Sequence, residues 1–248
     1  MNRFAGAFLA CAALLLPAYS AVASALDDAN AAVMAARNGQ YVEAIRLFTL
    51  VINSDELNLA GRAQAYAYRG IAKATVADYD GAQDDLNRAV ALDSPYNADA
   101  YAYRGYFEMV QGDAQKGAAD LAKSASLKVW GYNVVWLSLA RMRTNVPDTD
   151  DQSLAKNATK LDLAQWPGPV VKYLMGQGTP ADLNAAAKQG DPAKLVERVC
   201  DADFYTAEYY LAHNGGAAAK PLLQSSAEKC PFASFERMGA TAELARLK

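Results

Sequence analysis

Ala65-Tyr66-Ala67-Tyr68-Arg69-Gly70 recurs without a change, 35 residues later, as Ala100-Tyr101-Ala102-Tyr103-Arg104-Gly105. An identical run at that spacing is the trace left by a stacked helical repeat, because each unit must offer the same packing residues to its neighbour. Alanine is abundant around it and the Val/Ile/Thr alternation of strands is almost absent, so the expected fold is all-α. The chain has 248 residues, 52% of them hydrophobic and 21% charged. That is a globular balance, with enough length to bury one core or one repeat array.

Aligning the two hexapeptides brings further residues into register. Gly70 is followed by Ala77-Asp78-Tyr79-Asp80-Gly81-Ala82, Leu86 and Ala89, and Gly105 by Gly112-Asp113-Ala114, Gly117, Leu121 and Ser124. Each unit reads as helix, short turn, helix, with small residues where paired helices approach and aromatics filling the gaps between turns. An earlier unit, Gly39-Gln40-Tyr41-Val42-Glu43-Ala44 followed by Phe48 and Val51, lies 38 residues upstream of the second, with the insertion near Asp55 to Gly61. This spacing resembles the tetratricopeptide repeat. The resemblance implies a right-handed superhelical solenoid of helix-turn-helix pairs, with three units over 26–128.

Beyond Lys128 the pattern decays, and 129–248 is expected to hold degenerate pairs and a capping helix. Residues 130–142 read as a first helix, Val146-Pro147-Asp148 breaks it, and 152–163 reads as a second, amphipathic helix. Trp166-Pro167-Gly168-Pro169 stops the chain, and 169–175 reads as a short helix. Thr179-Pro180 and Asp191-Pro192 open two more, the latter running to about His213. Gly215-Gly216 turns the chain before helices at 217–228 and 234–247.

The first 25 residues read separately. Arg3 is a minimal positive region, Phe4 to Ala18 is apolar, and Ala21-Val22-Ala23 or Ala23-Ser24-Ala25 offers a small-x-small cleavage site, the pattern of a secretory signal peptide. Two alternatives stay open: an uncleaved anchor and lipidation at Cys11, although the apolar run continues past that cysteine. A periplasmic or secreted location is therefore expected, with membrane association only if this segment is retained or lipidated. Loss of the segment removes Arg3 and leaves 23 basic against 27 acidic side chains. That balance lacks the clustered Lys and Arg of a nucleic-acid binder.

Two cysteines remain after the leader, Cys200 and Cys230. An even count in an exported chain points to a disulfide, with two buried thiols as the alternative. A zinc site would lack a fourth ligand, since the chain has one histidine, His213. That histidine sits at an expected helix end, where it suits the dipole better than catalysis. No nucleophile elbow, metalloprotease helix or phosphate loop is present. Asp148, Asp150 and Asp151 lack the central Gly and distal Glu of a calcium loop. No cofactor, metal or catalytic residue is expected.

The C-terminal half carries a second resemblance. Leu161-Asp162-Leu163-Ala164-Gln165-Trp166-Pro167-Gly168-Pro169-Val170-Val171, Cys200-Asp201-Ala202-Asp203-Phe204-Tyr205 and Ala242-Glu243-Leu244 resemble bacterial envelope tetratricopeptide proteins of the NlpI type. The resemblance implies a non-catalytic periplasmic adaptor, often dimeric, with cell-wall enzymes or their protease as clients. It further implies that the first helix of each pair lines a concave groove. On this chain that selects Asn30, Val33 and Arg37, then Gln64, Tyr68, Ile71 and Thr75, then Asp99, Tyr103, Tyr106 and Met109. Tyr66 and Tyr101 are expected in the core. Such a groove, aromatic and weakly charged, suits a protein or peptide partner. The basic clamp for chaperone carboxylates is not expected, because Ala67, Ile71, Ala102 and Tyr106 stand at its positions. An enzyme using distant carboxylates and a self-assembling structural protein are the alternatives.

Overall fold

The computed structural model describes residues 24–92, 97–148 and 153–247. The leader expectation for residues 1–23, with Cys11, falls outside them, as do Asp150 and Asp151. The described residues form thirteen α-helices and one 3-10 turn, with no strand. Among them, no helix is long and apolar enough to cross a membrane.

Three consecutive pairs come first: α1 (Ala25–Arg37) with α2 (Tyr41–Asn53), α3 (Leu59–Thr75) with α4 (Tyr79–Ala91), and α5 (Asn97–Gln111) with α6 (Ala114–Leu127). The same turn joins the helices of each pair. Gly39, Ala77 and Gly112 hold φ values of 77°, 64° and 92°. The residue after each returns its N–H to the carbonyl five residues back, Gln40 to Ala35, Asp78 to Lys73 and Asp113 to Glu108. This is the Schellman closure of a helix end, and it recurs at the 38- and 35-residue intervals of the sequence alignment. Asp78 and Asp113 then cap the second helices through the N–H groups of Gly81 and Lys116.

The hexapeptide places its glycine where the helices of a pair touch. A Cβ on Gly70 would lie 3.0 Å from Leu86 Cγ, and one on Gly105 only 2.8 Å from Leu121 Cγ. Both leucines are fully buried, each contributing about 2–3 kcal/mol. The hexapeptide arginine ties three helices together. Arg69 forks onto Asp85 of α4, with Nη2 to Oδ1 at 2.7 Å, and gives Nη1 to Thr49 of α2 at 2.9 Å. Arg104 repeats this on Asp120 of α6, at 2.9 Å, and on Asn87 of α4, at 3.1 Å. Tyr66 and Tyr101 are half-buried beneath these guanidiniums, 5.4 Å and 5.8 Å from their ring centres, rather than in the core.

The next helix, α7 (Gly131–Thr144), packs on α6. The helix expected over 152–163 is instead one short element, α8 (Leu154–Ala158), followed by turns. Polar side chains take over the backbone there: Asn157 is buried, and Asp162 accepts from the Ala164 N–H. Then come α9 (Gly168–Leu174), α10 (Pro180–Ala187) capped by Thr179, and the 3-10 turn Pro192–Lys194. These precede α11 (Leu195–Ala212), which pairs with α12 (Gly216–Lys229). A disulfide joins Cys200 to Cys230. His213 ends α11 with Nδ1 2.7 Å from the Tyr209 carbonyl.

The last helix, α13 (Phe235–Arg246), leaves α12 and folds back onto α5. Arg246 donates to the Val110 carbonyl at 2.6 Å. Arg143 of α7 is paired with both Glu208 of α11 and Glu243 of α13. An unbroken series of aromatic contacts crosses the molecule: Phe48, Tyr68, Tyr103, Tyr106, Trp136 and Phe204, with ring centres 5.3–6.3 Å apart.

Candidate functional site

Helical spacing decides which side chains share a surface. On α3, Gln64, Tyr68 and Ile71 fall on one stripe, and on α5 Asp99, Tyr103 and Tyr106 do the same. The structure brings these stripes together in two adjoining depressions. The smaller, of about 240 Å³, lies between α3 and α5 and is lined by Gln64, Tyr68, Asp99 and Tyr103. Gln64 donates to the Tyr68 hydroxyl at 3.2 Å. The larger, of about 740 Å³, is lined by Arg37, Ile71, Asp99, Tyr103 and Tyr106 on one side.

Four of the expected groove residues lie elsewhere: Val33 packs against the core of the first helix pair, Thr75 lines a separate depression beside α13, and Met109 and Asn30 also fall outside the two depressions. Met109 is 1% exposed, with its Sδ and Cγ against Gly117 of α6. It stands one turn beyond Gly105, so it shares that glycine's helix-pair face and not the stripe of Tyr103 and Tyr106. Asn30 is exposed on α1 and lines neither depression.

The opposite wall of the larger cavity comes from residues that repeat register does not select. Trp130 caps α7, Tyr132 and Trp136 lie in its first turns, Glu197 and Asp201 belong to α11, Phe232 to the turn before α13, and Phe235 and Glu236 to the start of α13. Phe232 stacks on Tyr41 with ring centres 5.6 Å apart. Phe235 stacks on Tyr103 at 6.4 Å and meets Tyr106 edge-on at 5.2 Å. The chain's own C-terminal segment thus covers one end of the surface expected to be a groove. The sequence signal was the aromatic density of 130–136 and the Cys-Pro-Phe turn after α12, but neither states what it faces.

The floor of this cavity is acidic. Asp201 is buried, and its Oδ2 accepts from the Tyr132 hydroxyl and the Trp166 indole N–H, each at 2.8 Å. Glu236 is buried and accepts from the Tyr205 hydroxyl at 2.7 Å. Burial pushes both carboxyls above the usual carboxylate range, and for Asp201 the charge of Glu236 adds to the effect. Burial likewise raises the Tyr132 and Tyr103 phenols, so both stay protonated donors at neutral pH.

One polar atom in this wall has no partner. The Tyr106 side chain is 5% exposed, and its hydroxyl makes no hydrogen bond. Trp130 lies close enough to soften the rise that burial imposes on this phenol, without an aligned hydrogen bond. An unmet buried hydroxyl costs about 1–3 kcal/mol. Among the described residues, no group of three or more His, Cys, Asp or Glu is placed to hold a metal ion. No family model matches this chain, and no curated protein matches it.

Proposed function

We propose that this chain is an exported, non-catalytic binding protein of tetratricopeptide type, a right-handed solenoid whose concave surface receives a protein or peptide partner in the cell envelope. The observation that carries this reading is the behaviour of the surface toward the chain's own aromatics. Tyr41, Tyr103 and Tyr106 already hold Phe232 and Phe235 as aromatic anchors, stacked on the first two and edge-on to the third. Next to them Tyr68 and Gln64 line a depression with no such cover. Tyrosine supplies contact area with a polar tip at low entropic cost, so the uncovered part of the stripe suits an aromatic-bearing segment of a partner. The resemblance to NlpI-type adaptors adds the periplasm as location and cell-wall enzymes as clients.

The test places a photo-crosslinking residue at Tyr68 and identifies what is captured in the envelope. Crosslinks to a defined partner, lost with Gln64→Ala, are expected. Crosslinks that stay within the chain itself would overturn the adaptor reading. A second reading, a wall hydrolase, draws on the paired buried carboxylates Asp201 and Glu236. Turnover of peptidoglycan by the purified chain, lost in Asp201→Asn, would favour it.

A further inference from the structure

The larger cavity has a charge and ring arrangement of its own. Asp99 of α5, Glu197 and Asp201 of α11 and Glu236 of α13 face it, against Arg37 of α1 and Lys128 between α6 and α7. Acidic groups therefore outnumber basic ones on its walls. Trp130, Tyr132 and Trp136 present aromatic surface to the same space. At about 740 Å³ it has room for a side chain or a small molecule.

The Tyr106 hydroxyl, deeply buried on this wall beside the Trp130 side chain but without an aligned hydrogen bond, can both accept and donate one. A positive group bearing N–H donors would satisfy it, pair with the carboxylates and lie against the rings. We infer that this cavity binds an organic cation, an ammonium or guanidinium group, held by Asp201 and Glu236 and donating to the Tyr106 oxygen. Carboxylate pairing, cation–π attraction and the phenol acceptor all favour the same charge sign and the same donor chemistry. A metal ion is the poorer fit, since no group of three ligating side chains is placed for one among the described residues.

Binding has a protonation consequence. Burial raises the Asp201 and Glu236 carboxyls above the usual carboxylate range. A cation beside them favours the ionised forms, so its entry releases protons. The inference rests on the chain being a binding protein and names the chemistry its covered end recognises. The cation can arrive as a Lys or Arg side chain of a partner or as a free amine.

All three tryptophans of the chain report on the site. Trp130 and Trp136 line the cavity, and Trp166 donates to Asp201. The probes are n-butylammonium, butylguanidinium, the blocked tripeptide Ala-Lys-Ala, and the same peptide with its lysine acetylated. A saturable fluorescence change is expected with the first three and none with the acetylated peptide. Titration calorimetry in two buffers of different ionisation enthalpy should register proton release. Asp201→Asn should weaken binding about tenfold. Tyr106→Phe should weaken it several-fold while leaving the melting temperature unchanged or higher.

Tighter binding of Ala-Lys-Ala than of n-butylammonium would assign the cation to a partner side chain, and equal affinity to a free amine. Equal response to the acetylated peptide, no saturation by about 10 mM, or an unaltered affinity in a folded Asp201→Asn protein would overturn the inference. Should Asp201→Asn not fold, the half-exposed Glu197→Gln decides on the same readout, with several-fold weaker binding expected and no change overturning it. Crosslinked partners without any cation response would sink this inference alone. A cation response without crosslinked partners would sink the adaptor reading and leave this one standing.

Discussion

The two identical hexapeptides should respond differently to loss of the same arginine. Arg69 and Arg104 make the same fork, but their carboxylate partners are not equally supplied. Asp85 also receives Lys73, with Nζ 2.8 Å from Oδ2. Asp120 has no second cation in contact among the described residues. The nearby carboxyl of Glu108, itself only 4.0 Å from Arg104, raises its exposure to like charge further. Removing one partner of a fully buried ion pair costs about 3–5 kcal/mol. Arg104 is 20% exposed and Asp120 11%, which reduces the expected cost of Arg104→Leu to about 2–4 kcal/mol. Arg69→Leu leaves Asp85 with a cation, so the expected cost is about 1–2 kcal/mol.

Urea denaturation followed by circular dichroism would read both, with midpoints compared at a constant slope. At a slope near 2–3 kcal/mol per molar, Arg104→Leu should lower the midpoint by about 1 M and Arg69→Leu by roughly half of that. The double variant Arg104→Leu with Asp120→Leu should recover most of the loss, because no charge is then left stranded. Equal losses for the two arginines, or no recovery in the double variant, would refute the stitching argument.

Three further outcomes are expected. Ala77 holds the left-handed turn that Gly39 and Gly112 fill in the neighbouring units, so Ala77→Gly should stabilise the chain by up to about 1 kcal/mol in the same urea assay. Burial, with the charge of Asp120 second, raises the Glu108 carboxyl to about 7. A raised folded pKa stabilises fully below the ordinary carboxylate range and is lost as pH climbs through 7, so Glu108→Gln should gain about 1–3 kcal/mol over the parent at pH 8 and nothing near pH 4. Opening the Cys200–Cys230 bond, which closes a separation of 30 residues, with Cys200→Ala and Cys230→Ala should cost about 3–4 kcal/mol on the chain-entropy account. Faster proteolysis after α12 should accompany it.

The first three helix pairs were legible because their determinants are local and periodic. A helix pair needs a small residue at the crossing, a left-handed residue at the turn and an acid at the next N-cap, and Gly105, Gly112 and Asp113 carry all three within nine positions. Met109 was misplaced because the family's groove positions were applied without asking which stripe of α5 already belonged to Gly105 and Gly117. The helix expected over 152–163 was lost to side chains that bind backbone locally, which hydrophobic spacing does not register. The acidic cavity was not legible at all. Asp201 and Glu236 lie 35 residues apart and meet Tyr106 only through tertiary packing, with nothing periodic between them.

The disulfide gives that packing a cause. Cys200 precedes Asp201 on α11, and Cys230 precedes the turn that carries Phe232 and leads into Phe235 and Glu236 at the start of α13. One covalent link therefore ties the start of α11, which carries Asp201, to the turn that leads into Phe235 and Glu236. With the turn pinned, Phe235 meets Tyr103, the hexapeptide tyrosine of the third unit, while Tyr68, its exact counterpart in the second, keeps an open depression beside it. Identical sequence thus yields two environments, one covered and acidic, the other uncovered and neutral in its walls apart from Asp99. A partner segment lying along both would meet an aromatic shelf at one end and the proposed cation pocket at the other.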